Sequence, residues 1–372
     1  MPETPPHVVP GTFTRTIRPA LLRWYRRHRR DLPWRAGTPS ALAGETPDPY
    51  HVLVSEAMLQ QTRVATVVAY FHRFLEAFPS VRDLAAAEEQ RVLRLWQGLG
   101  YYRRARNLHA AAKAIVERHA GEVPDTVEAL LELPGVGPYT AGAIASIAFD
   151  RPAAILDGNV ARVLARFHGI ASPIDEPETH KHLWKFAEQL AAGPSPGDVN
   201  QGLMELGATV CTSRSPRCPV CPLRDHCSAA RDGRADELPR RLPKRKPIVV
   251  LHNVVAVRRR KEFLFERRSD DGLWAGMWQL PTWEADIDAD QLPAWIADRH
   301  GLTVTPPVEL ERFTHQTTHR TITFRVLLAD TTAGRIKREG PARCWRPLHR
   351  LDDLPLANPQ RRAVVSVRQY RD

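Results

Sequence analysis

The sequence predicts an all-α domain over residues 18–232, followed by a smaller α+β domain over 248–372. Three observations carry this. The chain has 372 residues, enough for two well-buried cores. From 18 to about 230 it reads as a succession of helices. Then RADELPRRLPKRKP (234–247), rich in proline and basic residues, reads as a linker over 233–247. Beyond it the runs IVVLHNVVAV, FLFERR and TITFRVLLAD have the residue types of strands.

Taken in order, residues 1–17 read as a loose tail, and RPALLRWYRRHRR (18–30) as a helix with a strongly basic face. DPYHVLVSEAML (48–59) and TRVATVVAYFHRFLEAF (62–78) predict two more helices, with a break at Gln60–Gln61 and Thr62 as the cap of the second. One unbroken helix would put Gln61 on the apolar stripe of Val54, Ala57, Met58, Ala65 and Val68, whereas a loop lets both amides project outward. Further helices fit 83–97, 101–119, 126–132, 138–149, 159–168 and 178–191.

The stretch LPGVGPYTAGAIA (133–145) concentrates turn chemistry. In the short helix before it, Asp125 can cap and Glu128 lies three residues on, as in a capping box. Pro134 stops that helix. Gly135 and Gly137 permit backbone angles closed to other residues, and Pro138 suits the first position of a new helix. The N–H groups of such a turn, beside a positive helix end, suit an anion such as phosphate. An ordinary helical hairpin fits the same residues, with Ala141, Gly142, Ala143 and Ala145 allowing close packing.

Formal net charge is +11 and the pI is near 9.8, which favours a polyanion partner, nucleic acid first. The N-terminus, MPETPPHVVPGT, does not read as a signal peptide. No apolar run approaches the roughly 18 residues of a membrane helix. The expectation is a soluble, cytoplasmic, monomeric protein with no membrane partner. Cys211, Cys218, Cys221 and Cys227 are spaced C-x6-C-x2-C-x5-C. Disulfides are disfavoured in the cytosol, so four close thiols point to a metal site, and by spacing alone zinc and an iron–sulfur cluster both fit. Cys344 reads as a buried small apolar residue.

Two carboxyls could do chemistry. Glu56 lies among Val52, Leu53, Val54, Ala57, Met58 and Leu59, and a carboxyl held among apolar groups stays protonated near neutral pH. By itself the segment fits a surface Glu on an amphipathic helix better. Asp157, followed by Gly158–Asn159, is turn and cap chemistry, but it lies 20 residues past Gly137, so a strand gripped by the glycine turn passes near it. Two carboxyls in different environments can divide acid and base roles, as in glycoside hydrolysis. The N-glycosidic bond of a nucleotide poses the same problem once its base has left the stack. In LWQGLGYYRRARNLH (95–109), Tyr101 and Tyr102 interleave with Arg103, Arg104 and Arg106, which suits a wedge into a duplex.

The assembled set resembles the helix-hairpin-helix DNA glycosylases with an iron–sulfur cluster, and within them the MutY-type adenine DNA glycosylases. DLPWR (31–35), SEAMLQQT (55–62), LWQGLGYYRRARNLH, LPGVGPYTAGAI, ILDGNVARVLAR (155–166), NQGLMELGATVC (200–211) and the four cysteines carry the resemblance, closely over about 20–230. It implies one [4Fe–4S] cluster at Cys211, Cys218, Cys221 and Cys227, within a loop 211–227. It implies that Glu56 protonates the purine, that Asp157 stabilises an oxocarbenium ion, and that Asn159 supports Asp157. Gln61 and Tyr101 are similar to residues that enter the stack. Arg30, Trp34 and Gln201 match positions around the adenine pocket, with Gln60 close by; Arg35 counts among the substrate- or DNA-binding residues, and Gly135 and Gly137 grip a phosphate. In related bifunctional enzymes a lysine stands at the position of Tyr139, where its amine forms a Schiff base. Tyr139 implies base removal by hydrolysis without efficient strand cleavage, its phenol facing the cationic sugar.

The second domain resembles the Nudix-like C-terminal domain of these enzymes through ERRSDDGLWAGMWQLP (266–281), without a Glu-rich Nudix helix. The fold expected is therefore an all-α helix-hairpin-helix glycosylase domain with an iron–sulfur loop, plus an α+β Nudix-like domain. The implied partner is double-stranded DNA with adenine opposite 8-oxoguanine or guanine. Thr317–Thr318–His319 aligns with the family's Phe-Ser-His lesion-reading loop; Thr318 and His319 keep the polar groups, while Thr317 lacks the ring. SALAGETP (40–47) looks like an insertion. Two other readings compete: a thymine or uracil mismatch glycosylase, against which the second domain and Gln60–Gln61 argue, and a non-catalytic iron–sulfur DNA-binding protein, against which Glu56 and Asp157 argue.

Overall fold

The computed structural model describes residues 10–35, 47–243, 246–337 and 342–370, and side chains from Thr14 onward. The insertion expected at 40–47 lies outside the described residues except for Pro47. Contacts divide the chain into two compact units, 1–86 with 107–243 and 87–106 with 244–372.

The helices in chain order are α1 Pro10–His28, α2 Pro49–Leu59, α3 Val64–Ala77, α4 Val81–Ala86, α5 Glu89–Trp96, α6 Arg103–Arg118, α7 Val127–Leu131, α8 Pro138–Phe149, α9 Gly158–His168, α10 Pro177–Ala191, α11 Pro196–Thr209 and α12 Ser228–Arg231. All belong to the first unit except α5 and the first residues of α6. The start of α2 is local chemistry: the Asp48 carboxylate accepts from Tyr50 N at 2.7 Å and Pro49 stands at the first helical position. The break at Gln60–Gln61 is present.

Several expectations need correction. The helix expected from 18 begins at Pro10 and carries Pro19 inside it, a residue that usually opens or interrupts a helix. The helix expected over 83–97 is two, α4 and α5. Thr62 does not cap α3; Arg63 holds that position with no side-chain cap bond. At α7 the cap is Thr126, whose hydroxyl accepts from Ala129 N at 3.3 Å, while Asp125 pairs with Arg151. The segment read as a tether holds Leu238 at 1% exposure, and its carbonyl accepts from the buried Arg166 at 2.7 Å.

The most buried element is α8, with every side chain from Thr140 to Ala148 out of solvent and α2, α7 and α11 packed on it. Gly142 lets the chain before α9 lie directly on this helix: a Cβ there would sit 2.0 Å from the Ala154 carbonyl oxygen.

The second unit is built on a sheet of eight described strands, β1 Ile248–Arg259, β2 Glu262–Arg267, β3 Trp278–Gln279, β4 Thr282–Trp283, β5 Leu302–Val304, β6 Val308–Gln316, β7 Arg320–Gly334 and β8 Arg343–Arg346. β1 and β7 run parallel from Ile248↔Arg320 to Arg258↔Asp330. β6 and β7 form an antiparallel hairpin ending at Gln316↔Thr321. Alternation along β1 sends Val254 and Ala256 to one face and Val255 and Val257 to the other. Helix α13 (Leu292–His300) packs on the second face through Leu292 and Ile296, and α14 (Asn358–Gln369) on the first through Ala363, Val364 and Val367.

Candidate functional site

In the first unit α2, α8, α9, α11 and a 3₁₀ turn, Pro33–Arg35, surround a cavity of about 580 Å³, a size that suits a small-molecule or nucleobase site. Its lining includes Arg30, Trp34, Arg35, Glu56, Gln60, Gln61, Tyr139, Asp157, Asn159 and Gln201. Ten of the residues singled out in the sequence thus share one cavity although they come from five stretches of chain.

Glu56 faces this cavity from the middle of α2 and is 5% exposed. Burial pushes its carboxyl up to about 7; a hydrogen bond with Tyr139 opposes this, Asp157 adds to it, and Arg35 opposes it. Tyr139 is the second residue of α8. Burial, then the charges of Glu56 and Asp157, hold its phenol well above the ordinary tyrosine range. Its hydroxyl also lies 3.3 Å from the Met204 sulfur.

Asp157 caps α9. Its carboxylate accepts from Asn159 N at 3.0 Å, from Val160 N at 2.7 Å and from the Asn159 side-chain amide at 2.8 Å. These donors fix its orientation at the helix end. Asn159 is held in turn by Arg162, which donates to its Oδ1 at 2.8 Å and to the carbonyls of Gly207 and Cys211, each at 2.8 Å.

Glu205 was not singled out from the sequence, yet it anchors one wall. It is fully buried, and it takes Arg30 Nε at 2.7 Å and Arg35 at 3.0 Å. Burial alone would raise its carboxyl; the two guanidinium groups outweigh that and hold it below the ordinary range. Trp34 is 7% exposed and meets Phe71 edge-on at 5.5 Å. Gln60 donates to the Thr140 hydroxyl at 3.3 Å. Gln61 is exposed and has φ +58°, a left-handed backbone unusual for a side-chain-bearing residue.

The glycine turn joins α7 to α8. Gly135 has φ +76°, and a Cβ there would fall 2.4 Å from the Asn107 side chain, so the fold itself requires glycine. Gly137 is different. Its φ is −98° and a Cβ would meet nothing within 4 Å. Among the described residues no contact accounts for a missing side chain there.

The four cysteines line one apolar pocket with Val163, Phe167, Leu206, Val210 and Leu223. Backbone N–H groups of Leu223 and of Ala229 and Ala230 point at the Cys221 and Cys227 sulfurs, and the buried Arg166 guanidinium is 3.3 Å from Cys211 Sγ. Thiolate donors, amide N–H groups and one buried cation suit an anionic metal–sulfur group. Among the described residues no three metal-ligating side chains gather on a point that one ion could fill.

Tyr101, Thr318 and His319 belong to the second unit, apart from the residues of the cavity. Tyr101 is 48% exposed with φ +48°, and its hydroxyl lies 3.3 Å from the Thr318 hydroxyl at the tip of the β6–β7 hairpin. Thr317 spends its hydroxyl on the turn, accepting from Arg320 N at 3.0 Å and donating to Arg320 O at 3.2 Å. Among the described residues no helix is long and apolar enough to cross a membrane.

Comparisons with known proteins agree with this arrangement. Residues 54–189 match the HhH-GPD superfamily of base excision DNA repair proteins, 253–365 the NUDIX domain, and 211–227 the iron–sulfur binding domain of endonuclease III. The first unit is thus an HhH-GPD helical domain with an iron–sulfur loop, and the second a Nudix domain. A solved structure titled a thermostable thymine-DNA glycosylase is similar at 30% identity and a TM-score of 0.53, covering 60% of this chain and 98% of that one. The adenine DNA glycosylase of Mus musculus is 49% identical over 57% of this chain, which spans only 41% of that protein. That of Schizosaccharomyces pombe is 34% identical over 84% of this chain and 81% of its own length. On that extended match, the chain belongs to the adenine DNA glycosylase family.

Proposed function

We propose that the protein is a base excision repair enzyme that hydrolyses the N-glycosidic bond of adenine mispaired with 8-oxoguanine or guanine, without cutting the strand. The observation that carries this reading is the pairing of a buried acid, Glu56, with a helix-capping carboxylate, Asp157, in one cavity. The adenine leaves the stack and enters the cavity between Trp34, Arg35 and Gln201. Glu56, protonated to a useful extent near pH 7, gives its proton to the purine as the bond to the sugar breaks. The Asp157 carboxylate, held by Asn159, faces the positive charge that develops on the sugar, and the Tyr139 oxygen adds to that stabilisation. Water completes the hydrolysis. Position 139 offers no amine, so no Schiff base forms.

The glycine turn grips a phosphate of the same strand; the open space at Gly137 supports this, because it lets a ligand come close to the backbone there. Gln61 and Tyr101 enter the stack, and their left-handed backbones suit side chains held outward for that task. Thr318 and His319 read the lesion. Cys211, Cys218, Cys221 and Cys227 hold one [4Fe–4S] cluster, which when bound cross-links the loop 211–227. Four thiols around one apolar pocket, with amide N–H groups and the Arg166 guanidinium beside them, suit such a cluster.

The test is single-turnover base release on duplexes carrying A opposite 8-oxoguanine, A opposite G, T opposite G and A opposite T, each analysed with and without alkali. Breaks at adenine only after alkali are expected. Release of thymine would move the chain to a mismatch-thymine activity, the one named for its structural neighbour. Cleavage without alkali would overturn the reading of Tyr139, and no release at all would favour a binding protein.

A further inference from the structure

We propose that Met204 is a positioning residue for the acid: its sulfur accepts the hydrogen bond of the Tyr139 hydroxyl, which leaves the phenol oxygen free to accept from Glu56. This deepens the proposed function and rests on it. The argument is a count of protons. A phenol has one O–H to donate. Two acceptors compete for that proton, the Glu56 carboxyl and the Met204 sulfur 3.3 Å from the phenol oxygen. If Glu56 is a carboxylate, Tyr139 turns to it and the sulfur receives nothing. If Glu56 is protonated, its own O–H donates to the phenol oxygen and the phenol O–H donates to the sulfur. Only in the second arrangement does the sulfur receive a hydrogen bond. The sulfur therefore favours the loaded acid, the form that must exist before the base arrives.

The other groups facing Glu56 do not duplicate this. Tyr139 comes from α8, Asp157 from the cap of α9 and Arg35 from the 3₁₀ turn. Glu205 of α11 is committed to Arg30 and Arg35. Met204, one residue before it on α11, lines the same cavity and is uncharged, so it acts on Glu56 only through the phenol. A thioether is a weak acceptor. Its loss should move the Glu56 titration by about half a pH unit.

The test compares wild type, Met204→Leu and Met204→Gln by the pH dependence of single-turnover adenine release at saturating enzyme. A second readout follows the Glu56 carboxyl by ¹³C NMR in the free protein, its signal assigned with Glu56→Gln. For Met204→Leu, both the alkaline limb of the rate and the carboxyl midpoint should move down by about half a pH unit, giving about threefold slower release at pH 8 and little change at pH 5.5. Met204→Gln, which returns an acceptor oxygen, should restore the wild-type limb. A limb and midpoint unchanged in Met204→Leu would overturn the proposal, as would a rate lowered equally at every pH. If wild type releases no adenine, the functional reading fails, and the carboxyl midpoint still decides the role of Met204.

Discussion

Glu56→Gln should make the protein inactive and, above neutral pH, more stable. The carboxyl is 5% exposed, and burial pushes it from 4.5 up to about 7. Below pH 4.5 folded and unfolded chains are both protonated and Glu56 costs nothing. Between 4.5 and 7 the unfolded chain releases its proton while the folded chain keeps it, so stability falls as pH rises. Above 7 the loss is complete. At 1.36 kcal/mol per pH unit, the rise from 4.5 to about 7 corresponds to about 3 kcal/mol. Glutamine has nearly the same shape and no charge at any pH, so it should recover most of that.

The assay is urea unfolding of wild type and Glu56→Gln at pH 5 and pH 8, followed by tryptophan fluorescence. The variant should gain little at pH 5 and about 3 kcal/mol at pH 8. Adenine release should fall by at least roughly 100-fold, since a positioned general acid contributes about that or more, while binding of mispaired DNA persists. Equal gains at both pH values would refute the reasoning, because the carboxyl would then titrate alike in both states.

Glu205→Gln removes the carboxylate that pairs with the buried Arg35 and should cost about 3 kcal/mol or more, read as a lower thermal midpoint. Tyr139→Lys returns an amine beside the sugar and should yield a borohydride-trapped protein–DNA adduct with strand nicking before alkali. Cys218→Ser should lose iron content and visible absorption; a colourless wild type with stoichiometric zinc would contradict the cluster. Gly142→Ala forces a Cβ to 2.0 Å from the Ala154 carbonyl, so the segment leading to Asp157 must move; it should lose about 1–3 kcal/mol of stability and slow adenine release.

What could be read from the sequence was chemistry confined to a few neighbouring residues. Helix α8 begins at Pro138, where its Gly-Pro signal puts it, and α2 lies within the stretch 48–59 that the sequence predicts. The capping Asp157 was legible for the same reason. Alone, Glu56 was ambiguous, because a carboxyl in an apolar segment faces either solvent or core, and only the elements packed around it decide. The start of α1 was hidden by Pro19, carried inside a helix against the usual rule. Glu205 was hidden because its partners Arg30 and Arg35 lie some 170 residues away. Strand β6, VELERFTHQ, escaped because its charged residues do not read as a strand.

Helix α11 shows why the site was harder to read than the fold. Gly197, Gly202 and Gly207 each lower helix propensity by about 1 kcal/mol relative to alanine, so the segment looks like a poor helix. The same glycines let its backbone press on its neighbours. A Cβ at Gly197 would fall 2.4 Å from the Ser146 carbonyl of α8, and one at Gly207 would fall 2.7 Å from Asn159 of α9. Those two helices carry Tyr139 and the N-terminus that Asp157 caps. Close approach therefore brings Gln201, Met204 and Glu205 of α11 to the cavity that Glu56, Tyr139 and Asp157 also line. The local cost that hides the helix from propensity is the condition for its position, and burial of Val199, Leu203 and Leu206 offsets it.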